Sequence, residues 1–147
     1  MDTLSYKTVA AKSSTVVSEW LVIDAENMVV GRLAAQLAKI IRGKNKPSFS
    51  PHVNCGDKVI ILNAEKVRFT GNKMNDKIYI HYTGYPGGQR EITPARLMTK
   101  KPEDVLKMAV RGMLPANKLR KEYLNNLFIY VGGEHPHSAQ NPKTITL

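Results

Sequence analysis

A run of cationic side chains with no intervening acid is the first feature of this sequence that indicates chemistry. Between Glu26 and Asp57 the chain holds no Asp or Glu, and its basic residues there include Lys39, Arg42, Lys44, Lys46 and His52. Cations on an extended loop can each approach a backbone phosphate, and each phosphate that is neutralised releases condensed counterions. The run therefore predicts contacts with a nucleic-acid backbone. The alternative is a solvated loop that only aids solubility.

A second basic group falls on predicted helices. Lys107 and Arg111 are four residues apart and share a helix face. Part of the group has a structural explanation, because Glu103 with Lys107, and Lys118 with Glu122, can form exposed pairs worth about 0.2 to 0.5 kcal/mol each. The candidates for phosphate contact, of which only Lys118 has such a pair, are Arg111, Lys118, Arg120 and Lys121.

A glycine-rich segment at 84–90 offers another mode of contact. Aromatic faces stack on any exposed base and glycines let a backbone approach closely, so the predicted contacts are Tyr85, Gly87, Gly88 and Arg90. Tyr82 lies on the aliphatic side of its predicted strand, and we expect it in the core. The segment has neither the Lys-Ser/Thr ending of a P-loop nor the dinucleotide spacing, so nucleotide binding is not predicted.

Two histidines near the carboxyl end have a metal and an RNA interpretation. His135 and His137 with His52 and Cys55 would make four zinc ligands, but most of the chain separates the two pairs and neither contains Cys-x-x-Cys. A nucleophile built on Cys55 has no local support either. We therefore predict no metal and no cofactor. In the RNA interpretation the segment from His135 to Gln140 supplies donors to phosphate or sugar hydroxyls.

The overall composition favours a polyanionic partner. Twenty-two Lys and Arg against twelve Asp and Glu leave a net charge of +10 on 147 residues, and such a surface repels itself unless it is neutralised. A single cysteine cannot form an internal disulfide and indicates a reducing compartment. No apolar run approaches the roughly 20 residues that cross a bilayer. The residues 1–18 lack the apolar block of a signal peptide, so a cytoplasmic protein is predicted.

The elements that position these side chains alternate between strands and helices. Predicted strands are 19–24, 58–62, 78–82 and 127–131, with a further extended piece at 67–70, and predicted helices are 32–42, 102 to Pro115, and 118–125 capped by Asn117. The run at 58–62 is continuously apolar, as expected for a strand covered on both faces. The pattern predicts a small three-layer α/β/α domain around a mostly parallel sheet of about four strands, with extended loops and terminal arms.

No repeat or linker divides the sequence. We therefore expect a single domain over residues 1–147, with an N-terminal arm over 1–18 and an irregular C-terminal tail over 132–147.

Longer strings resemble the bacterial-type large-subunit ribosomal protein L-thirteen family. In chain order they are Trp20, Gly31-Arg32-Leu33-Ala34, Arg42-Gly43-Lys44, Pro51-His52, Gly56-Asp57, Asn63-Ala64-Glu65-Lys66, Thr70-Gly71, His81 to Gly88, Ala109 to Pro115, and His135 to Gln140. The resemblance extends from Lys7 to about Pro142. The chain departs from the family pattern at Arg120-Lys121, where a Leu-Gly-Arg element is usual, and at Asn125-Asn126, where a basic pair is usual.

The resemblance implies a function without catalysis. A protein of this family is a structural constituent of the large ribosomal subunit in the cytoplasm, binds and stabilises large-subunit rRNA, and acts early in subunit assembly. The implied partners are that rRNA and neighbouring large-subunit ribosomal proteins, with no membrane and no small-molecule substrate. Two alternatives are a regulatory binder of messenger RNA and a phosphate-handling enzyme that uses the glycine loop. The absence of paired carboxylates near a nucleophile in the sequence argues against the enzyme alternative.

Overall fold

The computed structural model describes residues 10–147. Residues 10–18 precede the first strand and contain a turn in which the Thr15 amide donates to the Lys12 carbonyl over 2.9 Å. The first nine residues of the predicted arm lie outside the described residues. The elements are β1 (Trp20–Asp24), α1 (Val30–Arg42), β2 (Lys58–Leu62), α2 (Lys73–Asp76), β3 (Tyr79–Tyr82), β4 (Gln89–Ile92), α3 (Pro94–Lys100), α4 (Pro102–Met113), α5 (Arg120–Asn125), β5 (Leu127–Ile129) and β6 (Lys143–Thr144).

Four parallel strands form the central sheet in the order β5-β2-β1-β6. The central strand β2 is buried on both faces, since Val59, Ile60 and Ile61 are all fully buried. This is the arrangement that its continuous apolar run predicts. The predicted α/β class with a mostly parallel sheet of about four strands is confirmed.

Helices α1, α4 and α5 pack against one face of this sheet, and α3 packs on α4. Leu33, Leu37 and Ile41 recur along α1 at helical spacing and are fully buried. They belong to one core cluster with Val105 and Val110 of α4 and with the inward residues of β1 and β2. Each such side chain contributes roughly 1.5 to 3 kcal/mol through burial. Packing of α1 on α4 is therefore what holds the two basic helices side by side.

The C-terminal segment covers the opposite face of the sheet. Phe128 pairs in register with Ile60 of the central strand, so its ring points away from the helices. The rings of Trp20 and Phe128 stack at 5.2 Å between centroids, and the His137 ring lies 4.9 Å from Phe128. The chain then returns as β6, which pairs with β1. With two residues, β6 is too short to be recognised from periodicity in the sequence.

A hairpin outside the main sheet corrects two predictions. Among residues 10–147, β3 pairs only with β4, in antiparallel register. The predicted loop over 84–90 was therefore wrong at Gln89 and Arg90, which belong to β4. The placement of Tyr82 in the core was also wrong, because 61% of it is exposed. Tyr79, on the other side of the strand, is the residue that packs against the core. The alternation was read correctly, but the side of the strand that packs against the core is the one with Tyr79.

Two helices between residues 94 and 125 differ from the prediction. α3 was not predicted, and it begins with Pro94 in its first turn. α5 begins at Arg120, and its capping position is Leu119 without a side-chain hydrogen bond, so the predicted cap at Asn117 was wrong. Among residues 10–147 no helix is long and apolar enough to cross a membrane.

Candidate nucleic-acid interface

Gly43 ends α1 and sets the direction of the basic segment that follows. Its φ of 81° is left-handed, and the Gly43 and Lys44 amides donate to the Ile40 and Lys39 carbonyls over 2.9 and 3.0 Å. This confirms the predicted glycine cap. The side chains of Lys39 and Lys44 are exposed beside the negative end of the helix. Both line what we call the Lys39 groove, of about 370 Å³, whose lining residues are Ala35, Ala38, Lys39, Arg42, Lys44, Met113 and Leu114.

Arg42 is only partly available for a ligand. Its guanidinium lies 5.4 Å from the centroid of the Phe49 ring, and its Nε is buried without a hydrogen-bond partner in the described structure. Burial raises the pKa of the Tyr123 hydroxyl, and the positive charge of the nearby Arg42 opposes that rise. Arg42 therefore packs on Phe49 of the basic loop as well as lining the Lys39 groove.

Lys46 is held inside the protein. Its ammonium donates to the Asp57 carboxylate and, over 2.8 Å, to the Val17 carbonyl. Asp57 also accepts a hydrogen bond of 2.9 Å from the Glu19 amide. The lysine side chain is 21% exposed and that of Asp57 is 5% exposed. Lys46 thus joins the basic loop, the arm and the start of β1.

Replacing Lys46 by Met is expected to destabilise the fold by about 2 to 3 kcal/mol, because the Asp57 carboxylate would stay buried without its cation. The matched change Lys44→Met removes the same charge from an exposed side chain, and we expect a loss within about 0.5 kcal/mol. Urea denaturation of both variants measures the difference. Equal stabilities would show that the pair at Asp57 contributes nothing.

The second basic group converges on a single concavity. We call it the Arg111 groove, of about 430 Å³, and its lining residues are Lys107, Arg111, Asn117, Lys118, Arg120, Lys121, Leu124 and Asn125. Within residues 10–147 the ion pairs involve only Lys46, Lys66 and Lys143, so the expected pairs of Lys107 and Lys118 are not formed. The sequence thus predicted which basic residues belong to this group, but it overstated how many of them are paired with acids.

Arg120 in this group has a structural role. Its Nε donates to the Pro115 carbonyl over 2.9 Å and an Nη to the Leu114 carbonyl over 3.4 Å. These bonds satisfy carbonyls just past the end of α4, in a turn that the sequence did not reveal. Arg111, Lys118 and Lys121 are exposed and remain directed at the groove.

A third basic concavity was missed from the sequence. The Arg68 groove, of about 320 Å³, is lined by Arg68, Lys73 and Lys77 together with residues at the start of α1 and on α4. The residues at the start of α1 are Val29, Val30 and Gly31, and the α4 residues are Met108, Ala109, Gly112 and Met113. Lys73 and Lys77 are four residues apart, which was the signal that could have found them. Met113 lines both this groove and the Lys39 groove. Helix packing therefore gathers cations from distant parts of the chain around the end of α4.

The hairpin tip is built by glycines with different roles. Gly84 and Gly87 have φ values of 89° and 70° and are exposed. Gly88 is buried, its amide donates to the Tyr85 carbonyl over 2.8 Å, and a Cβ there would lie 2.2 Å from Thr83 Oγ1. Gly88 closes the turn rather than offering its backbone, whereas Tyr85 and Arg90 are exposed.

The histidines lie on the opposite side of the sheet from α1 and α4. His137 Nε2 is 2.8 Å from the Tyr130 hydroxyl, and the His137 amide donates to His135 Nδ1 over 3.2 Å. His137 is therefore committed to the aromatic cluster with Trp20 and Phe128, and His135 in its neutral form keeps Nε2–H as its free donor. Gln140 and His52 are exposed and join neither groove. Within residues 10–147 no three His, Cys, Asp or Glu side chains are placed to hold a metal.

Comparisons with known proteins identify the family of this chain. Residues 18–136 match the family model described as Ribosomal protein L13. The chain is 52% identical over 141 residues to the large ribosomal subunit protein uL13 of Geobacter sp. (strain M21), covering 96% of this chain and 99% of that protein. It is 50% identical over 141 residues to uL13 of Syntrophus aciditrophicus, with the same coverage, and 52% identical over 139 residues to uL13 of Maridesulfovibrio salexigens, with 95% and 98% covered. The resemblance seen in the motifs is thereby confirmed, and the chain belongs to the ribosomal protein L13 family.

Proposed function

We propose that the chain binds and stabilises large-subunit rRNA as a structural constituent of the large ribosomal subunit, and that it acts early in subunit assembly. The observation that carries the proposal is a set of three basic grooves that all take lining residues from α4. Among residues 10–147, no Asp or Glu lines any of the three. Cationic grooves without acids suit a polyanion, because phosphate contacts supply much of the affinity for nucleic acid.

The shape of this surface supports contact with the RNA backbone. Between the cations the grooves are floored by small residues of α1 and α4, namely Gly31, Ala35, Ala38, Ala109 and Gly112. Small side chains let the sugar-phosphate backbone approach the helices closely. Such contacts recognise the shape and charge of folded RNA rather than its sequence. The protein would therefore hold rRNA segments together without reading their bases.

The predicted contact residues divide by how free they are. We assign phosphate contacts to Lys39, Lys44, Arg111, Lys118 and Lys121, whose side chains are exposed at the grooves. Arg42, Lys46 and Arg120 are assigned the role of holding the neighbouring backbone in place. At the hairpin tip Tyr85, Gly87 and Arg90 are assigned to RNA. On the other side of the sheet His135 and Gln140 would donate to phosphate or sugar hydroxyls.

Co-sedimentation and salt-dependent binding test the proposal together. The tagged chain should sediment with large subunits and with their early precursors in a high-salt gradient. The purified chain should bind large-subunit rRNA with a strongly negative slope of log K against log salt, and unrelated structured RNA, including messenger leaders, should compete poorly. Sedimentation apart from ribosomal particles, or equal competition by unrelated RNA, would contradict the proposal.

A further inference from the structure

The outer face of the β3–β4 hairpin is apolar and exposed. Ile78, Ile80 and Tyr82 follow one another at alternate positions and are 51%, 65% and 61% exposed, so they project on one side. Glu91 is the register partner of Ile80 and Gln89 that of Tyr82, which places both on the same face. Single exposed apolar residues are ordinary, but a contiguous apolar face marks an interaction surface.

The charges of the hairpin distinguish its two faces. Arg90 pairs with His81 on the inner face, and the Lys77 ammonium lies 5.0 Å from the centroid of the inward Tyr79 ring. The outer face therefore carries no Lys or Arg on β3 or β4, although the chain has a net charge of +10. Its one charged group is the Glu91 carboxylate, which accepts a hydrogen bond of 2.7 Å from the Gln89 amide. RNA would gain no phosphate contact there and would meet an anion.

The Glu91 carboxylate is exposed and is not neutralised by a cation of the described structure. Within residues 10–147 the three ion pairs use Asp57, Glu26 and Glu19, so Glu91 has no Lys or Arg partner. A carboxylate beside apolar groups is favourable only when a cation covers it as water is excluded. A docking partner must therefore supply both apolar side chains and a basic group.

The hairpin also has few supports of its own. Its two strands pair with no third strand in the part of the chain that the structure describes, and it packs on the core through Tyr79 and Ile92. Burial raises the pKa of the Tyr79 hydroxyl at this contact. An isolated two-stranded hairpin is marginally stable, and packing of a further layer of side chains on its apolar face stabilises it. A partner on the outer face would supply that layer.

We propose that the outer face, Ile78, Ile80, Tyr82, Gln89 and Glu91, docks a segment of a neighbouring large-subunit protein that presents apolar side chains and a Lys or Arg against Glu91. The proposal rests on the proposed function, since it requires the chain to reside in the large subunit. It divides the molecule into RNA surfaces, at the α4 grooves and the hairpin tip, and a protein surface on the outer face of the hairpin strands.

Photo-crosslinking in purified large subunits tests this division. The sole cellular copy of the chain carries p-benzoylphenylalanine at Ile80 in one strain and at Lys44 in another, and the subunits are irradiated and digested. We expect the position 80 adduct on one large-subunit protein, within a segment that contains apolar residues and a Lys or Arg. The position 44 adduct should be on rRNA.

Three results at position 80 would overturn the proposal: an adduct on rRNA, an adduct on a second copy of this chain, or no adduct. A protein adduct at position 80 with no RNA adduct at position 44 would instead contradict the proposed RNA surface, so the two failures are distinguishable. Adding Glu91→Gln should lower the position 80 yield severalfold, whereas the matched change Glu103→Gln on α4 should leave it unchanged. Equal crosslinking yields at position 80 in the Glu91→Gln and Glu103→Gln variants would contradict the proposed cation against Glu91.

Discussion

A Gly56→Ala variant is expected to lose about 3 kcal/mol or more of folding stability, the largest effect of a single methyl group in this chain. A Cβ at position 56 would lie 1.6 Å from the Ile41 carbonyl oxygen and 2.4 Å from its carbon, both backbone atoms of α1. Neither atom can move without shifting the end of the helix. Urea denaturation followed by circular dichroism gives the free energy of unfolding, or shows that the variant does not fold.

Gly31→Ala, on the helix that Gly56 contacts, is the matched control. A Cβ at Gly31 meets no atom within 4 Å, and alanine favours a helix over glycine by up to about 1 kcal/mol. We expect unchanged or slightly raised stability. A free energy of unfolding for Gly56→Ala within about 0.5 kcal/mol of that for Gly31→Ala would be the size of an ordinary surface effect. That result would contradict the close approach of residues 55–57 to α1.

The second large effect is expected from removing four free cations at the grooves. Changing Lys39, Lys44, Arg111 and Lys118 together to Gln should lower the slope of log K against log salt by about three units and weaken rRNA binding roughly 100-fold near 0.1 M salt. The physical reason is the loss of counterion release at each phosphate no longer contacted. Filter binding of large-subunit rRNA over a series of salt concentrations measures both quantities. Lys46 is left intact because its ammonium is bound to Asp57.

An equal loss of charge elsewhere separates position from net charge. The control changes Lys12, Lys66, Lys100 and Lys143 to Gln. All four are exposed and none lines the three grooves. Its slope should fall by about one unit or less, since only long-range attraction is reduced. Identical slopes for the two fourfold variants would mean that the grooves have no special part in binding.

Much of the molecular class could be read from residue patterns. The α1 and α4 apolar stripes and the β2 run predicted their elements closely, because burial against one sheet imposes a period on the sequence. Family membership confirms the prediction of a ribosomal protein rather than an enzyme. The pattern of β3 was detected, but its solvent side was assigned wrongly since Ile80 and Tyr82 look like core residues. Alternation tells which residues share a face and does not tell which face is buried.

The sequence by itself determined the α/β class, the main helices and strands, the excess of positive charge and the family. Only the tertiary structure decided which cations are free. Lys46 binds a carboxylate eleven residues away, and Arg120 binds carbonyls across a turn. It also decided that Arg68, Lys39 and Arg111 each line a groove that α4 helps to form. Local periodicity encodes what a residue buries, whereas hydrogen-bond partners and shared grooves depend on how distant segments pack.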